Sequence, residues 1–239
     1  GSTLTFSGTS PQINTGGATH SIANDISLAA TTSFTTGSNL TLSGAISGTV
    51  GMDKSGAGTL TLTQVPTHTG LTTISAGTLN IGGGGALTGG VGGDIVNNGA
   101  LVIDSSGGIS LNSLSGTGTL IKNGSGLLVS GATWTHSGDT TINGGSIANQ
   151  INSTGRLTVN AGGQYDSGGS TFGSLAGSGG FVGINGVAST MTVGGDNTST
   201  TYAGVLGGDG MLVKTGTGTL TLTQMPTITG LTTISAGTL

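Results

Sequence analysis

Residues 59–79 read TLTLTQVPTHTGLTTISAGTL, and residues 219–239 read TLTLTQMPTITGLTTISAGTL. The two stretches differ only at Val65/Met225 and His68/Ile228, and they lie 160 residues apart in a chain of 239. Self-similarity at a fixed period marks a stacked, quasi-one-dimensional protein, in which each unit buries its apolar side against the next. Within each copy Thr and Leu alternate, the pattern of a strand with one dry face and one wet face. The fold class that follows is all-β: a parallel β-helix, or β-solenoid. At about 20 residues per coil the chain makes roughly a dozen coils, a rod of roughly 55 Å at about 4.8 Å per coil. Residues 1–239 read as a single solenoid segment, one 160-residue repeat (80–239) preceded by the end of another (1–79).

A weaker third copy lies between the two. Sliding residues 54–79 forward by 68 sets Lys54 on Lys122, Leu60 on Leu128, Ile74 on Ile142 and Leu79 on Ile147. The copies 54–79, 122–147 and 214–239 retain the Lys, a Gly-x-Gly turn, Thr67/Thr135/Thr227, Gly70/Gly138/Gly230, a Thr-Thr-Ile strand and Gly77/Gly145/Gly237. A scaffold keeps such features. A catalytic unit would keep acids, bases and nucleophiles, and none recurs.

Composition points the same way. The chain holds 52 Gly, no Cys and 5% charged residues, and all eight acids are Asp. Without Glu and with few Lys it lacks the usual helix formers, whereas Thr, Ser, Val, Ile, Gly and Asn favour strands broken by turns. Absent Cys excludes a disulfide framework and Cys-type zinc sites. A net charge of −4, with only Lys54, Lys122, Arg156 and Lys214 as cations, excludes a nucleic-acid partner. No apolar run of about 18 residues is present, so no helix of this segment inserts in a membrane.

Short alternating runs recur at 4–6, 40–42, 59–63, 101–103, 157–159 and 211–213, each followed closely by Gly, Asn or Ser. The glycine runs 82–85 and 89–93 read as longer loops.

Several residue types in the chain are capable of chemistry. His68 and His136 share a repeat position that holds Ile228 in the third copy, which argues against a metal ligand or general base; with His20 they read as surface or turn histidines. Asp94, Asp104 and Asp166 are the carboxylates a glycosidase or lyase would pair, and Asp53, Asp196 and Asp209 lie in turns suited to calcium. Aspartates in a turn-rich chain more commonly satisfy backbone donors. The glycine runs lack the helix and Gly-Lys-Ser/Thr of a phosphate loop. Lys54, Lys122 and Lys214 read as coil-edge residues with stems on apolar surface and ammonium groups in water, the functional alternative being a sparse row for anionic ligands. The Thr-x-Thr runs raise an ice-binding face, which would need such runs on successive coils. Asn39, Asn123, Asn152 and Asn197 head N-x-S/T sequons. No catalytic, cofactor-binding or metal residue is assigned, and no cofactor.

The stretches FGSLAGSGGFV (172–182), TMTVGGDNTSTTYAGVLGGDGMLVKTGTGTLTLT (190–223) and TGLTTISAGTL (229–239) resemble the autotransporter-associated β-strand repeat of bacterial passenger domains and giant surface adhesins. Residues 54–79 match as well, and 122–147 in part. The resemblance implies a right-handed parallel β-helix outside the cell or on its surface. The functional expectation is a structural stalk or passenger segment that serves adhesion or filament and biofilm formation, not an enzyme. The alternatives are a β-helical carbohydrate-active enzyme and, further off, an ice-binding module. Expected partners are a second copy, stacked end to end through uncapped coils, and host-surface or biofilm-matrix carbohydrate or protein.

Overall fold

The computed structural model describes residues 2–239, and of Ser167 the backbone only. Every described pairing is between parallel strands, and no helix occurs among the described residues. The alternating runs form strands of two to five residues, such as Leu4–Phe6, Leu40–Leu42, Thr59–Leu62, Ala100–Ile103, Arg156–Val159 and Met211–Lys214. They wind about twelve coils of a β-solenoid with three faces. In the first coil Leu4–Phe6, Gln12–Thr15 and His20–Ile22 take the first, second and third face in turn. Ile26–Leu28, Thr32–Thr36 and Leu40–Leu42 then stack on them.

Alternation sets the core. On the third face Leu40, Leu60, Leu79, Leu101 and Leu120 stand in register on successive coils. Two residues along, Leu42, Leu62, Ile81 and Ile103 make a second column. All nine are at most 1% exposed, and each such side chain contributes about 1.5–3 kcal/mol by leaving water. The outward column between them runs Thr41, Thr61, Asn80, Val102, Ile121 and Thr141. Asn80, Val102 and Ile121 interrupt the threonines, so the successive Thr-x-Thr rungs of an ice-binding face do not form.

The 160-residue period is eight coils. Met52–Ser55 and Met211–Lys214 both lie on the second face, and eight strand or bridge steps separate them. The third copy is rotated. Lys122 lies on the third face, in Thr119–Lys122, and Leu128 on the first, whereas its sequence counterpart Leu60 is on the third. The motif is therefore a local unit that any face accepts, because each face offers the same parallel ladder.

Gly82, Gly83 and Gly84 take positive φ in the expected loop. The second glycine run departs from expectation: Gly89–Gly90 is a short strand paired with Ile109–Ser110. A ladder needs only backbone groups, and the Gly89 and Val91 N–H donate to Gly108 and Ser110 at 3.0 and 2.8 Å. Just before it, Pro66 lacks an N–H, and residues 65–69 carry the first face without a strand; Thr67 and Thr69 N–H still donate to Ile46 and Gly48.

Candidate functional site

The retained lysines are inside the coil. In MDKS, TLIK and MLVK each Lys stands two residues after a buried Met52, Leu120 or Leu212, so strand alternation turns it inward. Lys54, Lys122 and Lys214 are 0–1% exposed. Each occupies a rung of the apolar ladder: Phe34, Lys54, Ile74; Ile103, Lys122, Ile142; Val193, Lys214, Ile234. The coil-edge position with ammonium in water is overturned, and so is the row for anions.

Burial of a charge requires partners, and the turns supply them. Lys54 Nζ donates to the carbonyls of Ser55 (3.1 Å), Gly56 (3.0 Å) and Ala76 (2.9 Å). Lys122 donates to Asn123, Gly124 and Gly144, and Lys214 to Thr215, Gly216 and Ala236. In each case two acceptors lie in the turn after the lysine and the third in the turn one coil later. An ammonium has three donors, and all three are used to tie one corner to the next. Burial pushes Lys54 and Lys122 down to about 8, the charge of Asp104 partly opposing this at Lys122. Both are still mainly ammonium at neutral pH, the form the three carbonyls need.

The retained glycines make room for this. Gly77 takes φ +67°, and a Cβ there would press on Gly56 O and Gly58 O and lie 2.8 Å from Lys54 Nζ. Gly145 (φ +64°) and Gly237 (φ +72°) meet the equivalent carbonyls. Gly77→Ala is expected to cost about 2 kcal/mol, combining left-handed backbone strain with a displaced ammonium; thermal unfolding reads the loss.

The two repeat-position histidines are also interior. His68 and His136 are 0% exposed, which corrects the surface reading. Their Nε2 atoms meet the hydroxyls of Thr72 and Thr140 at 2.9 and 2.8 Å, the first Thr of each Thr-Thr-Ile. Nδ1 of each is buried with no partner. Burial lowers both, His136 to about 4. Ile228 in the third copy fits this setting, since an apolar side chain replaces a neutral buried ring more readily than a solvated one. His20 is exposed, 3.3 Å from Gly16 O.

The aspartates mostly accept hydrogen bonds from backbone N–H groups. Asp94 and Asp104 accept the N–H of Ser113 and Gly124 from the following coil at 3.3 Å, as Asp25 and Asp139 accept those of Ala45 and Arg156. Asp209 accepts the N–H of Gly186, and Asp166 accepts the Gln164 and Asn185 amides. Asp196 resists burial: hydrogen bonds from Ser174 and Thr198, with Arg156 nearby, hold its carboxyl below the usual value. Asp53 is half-buried on the outer side of its strand. Among the described residues no three His or Asp gather as metal ligands, and no helix is long and apolar enough to cross a membrane.

Interior ammonium corners on a three-faced ladder define a β-solenoid whose coils are tied one to the next. Residues 52–81 and 212–239 match the family model described as passenger-associated-transport-repeat, a similarity consistent with an autotransporter passenger repeat. Each matched segment includes the buried lysine, its Gly turn and the Thr-Thr-Ile strand. That family is structural rather than catalytic. No curated protein and no solved structure matches the chain.

Proposed function

We propose that this chain is a stalk or passenger segment of a secreted or surface-exposed bacterial repeat protein, serving adhesion or extracellular filament and biofilm formation. The observation that supports this most is the lysine corner. Three of the four cations are spent on holding one coil to the next, and the aspartates mostly on backbone donors. The mechanism is mechanical: a continuous ladder holds distal parts of the protein away from the cell. Asp94 and Asp104, two of the carboxylates the enzyme alternative would use, are each engaged by a backbone N–H, and incubation with a polysaccharide panel is expected to yield no cleavage.

The direct test is in-frame removal of residues 80–239 from the full-length protein, which joins Leu79 to whatever follows Leu239 in unchanged register. Export is expected to persist while adherence between cells or to a surface falls. Unchanged adherence would contradict the proposal.

End-to-end association belongs to the same reading. Parallel strands present backbone donors and acceptors that can template a further strand, and light scattering is expected to show mass rising with concentration. A strict monomer at high concentration would rule out self-association.

A further inference from the structure

The structure separates the four N-x-S/T sequons from one another. Asn39 Oδ1 accepts the N–H of Thr59 on the next coil at 3.0 Å. Asn123 Oδ1 accepts from the Asn143 amide at 2.9 Å, within a corner ladder that continues to Asn160 and Ser178. Asn197 has φ +62°, and its Oδ1 accepts the N–H of Thr217 at 3.0 Å. A transferase must draw the acceptor amide out and disturb its conjugation. At these three positions that would break a bond between coils, each worth about 0.5–1.5 kcal/mol.

Asn152 differs. Its backbone is fixed, with N–H donating to Trp134 O at 2.9 Å and a parallel bridge to Thr171. Ile151 and Ser153 on either side point inward, at 0% and 5% exposure, so the Asn152 side chain stands outward on the second face. It is exposed and makes no hydrogen bond among the described residues. The sequon hydroxyl, Thr154 Oγ1, is exposed too, held only by a 3.5 Å contact to Ser137 O. Beside it opens a cleft of about 270 Å³ with Thr154, Thr171, Gly173 and Asp196 among its walls. That is below the roughly 300–1,000 Å³ of a drug-sized site, space on the scale of a single sugar ring; its surface is mainly apolar, with Phe172 also in the wall.

We propose that Asn152 is an N-glycosylation site of the folded chain, taking one hexose from a nucleotide-activated sugar. In the transfer Asn152 Nδ2 forms a bond to the anomeric carbon, the bond from that carbon to the diphosphate oxygen breaks, and the nucleoside diphosphate leaves. The amide proton passes to a base of the transferase. No coil-to-coil bond is lost, and the attached ring lies along the cleft.

The test uses the folded 239-residue chain, UDP-glucose and a sequon-specific N-glycosyltransferase chosen for its activity on the free peptide 148–158. The expected product carries one hexose, mapped to Asn152, and Asn152→Gln abolishes it, while Asn39→Gln, Asn123→Gln and Asn197→Gln do not. An unmodified folded chain under conditions that modify the peptide would overturn the proposal. So would transfer to Asn39, Asn123 or Asn197 at a rate equal to that at Asn152.

Discussion

Lys122→Met is expected to destabilise the solenoid by about 3 kcal/mol, although it places an apolar side chain between Ile103 and Ile142 in the core ladder. If burial of apolar area alone governed this rung, methionine would be neutral or stabilising, because a buried ammonium is costly to desolvate. The deciding quantity is what remains behind. Asn123, Gly124 and Gly144 would keep carbonyls aimed at an interior with no donor, and each buried unsatisfied group costs about 1–3 kcal/mol. Gain of apolar contact and release from ammonium desolvation offset part of that sum. Repeat arrays depart from two-state unfolding, so the loss is best read locally. Hydrogen exchange of the Asn143 N–H, which donates to Lys122 O, should accelerate about 100-fold for such a change. Lys122→Met with exchange and melting unchanged would show that the carbonyls find other partners.

The second large effect is acid lability centred on His136. Its folded-state value, about 4, lies below the ordinary 6.5 because burial penalises the charged ring. Between those values the unfolded chain takes up a proton that the folded chain refuses, so stability falls as pH drops through 6.5 toward 4. A difference of that size corresponds to about 3 kcal/mol. His68 is lowered by the same cause and adds in the same direction. The chain supplies its own control, because the third copy carries Ile228 at this position. His68→Ile with His136→Ile is expected to leave neutral-pH stability within about 1 kcal/mol and to flatten the decline between pH 7 and about 4.5. Asp196, held below its usual value, loses its contribution only at still lower pH. An equal decline in the double variant would place the acid sensitivity elsewhere.

Much of this fold is legible in the sequence for a simple reason: strand alternation acts locally, and the runs at 4–6, 40–42, 59–63, 101–103, 157–159 and 211–213 all fall in strands except for Thr63, one residue past Thr59–Leu62. The eight-coil period follows from duplication alone. The interior of the repeat is harder to read, because residue type and position conflict there. Lys54 follows buried Met52 by two residues, as Lys122 follows Leu120 and Lys214 follows Leu212, and that spacing turns all three inward. Lysine is almost never fully buried unless paired, and its partners here are backbone carbonyls, which have no signature in side-chain identity. His68 shows the same conflict. Replacement by Ile in a sister copy speaks against a ligand, but it speaks equally for a buried place. The rotation of the third copy has no local signal at all, because it depends on summed coil lengths between Lys54 and Lys122.

The central claim is that the recurrent lysines are interior ties between coils. Acylation of amines by a water-soluble N-hydroxysuccinimide ester at mildly alkaline pH, read by peptide mapping, tests it directly, since the chain has three lysines and all are buried. In the folded protein Lys54, Lys122 and Lys214 are expected to stay unmodified over times that label all three in denaturant. Labelling of Lys54 or Lys122 in the folded state at the rate of a free lysine would place the ammonium groups in water and contradict the account.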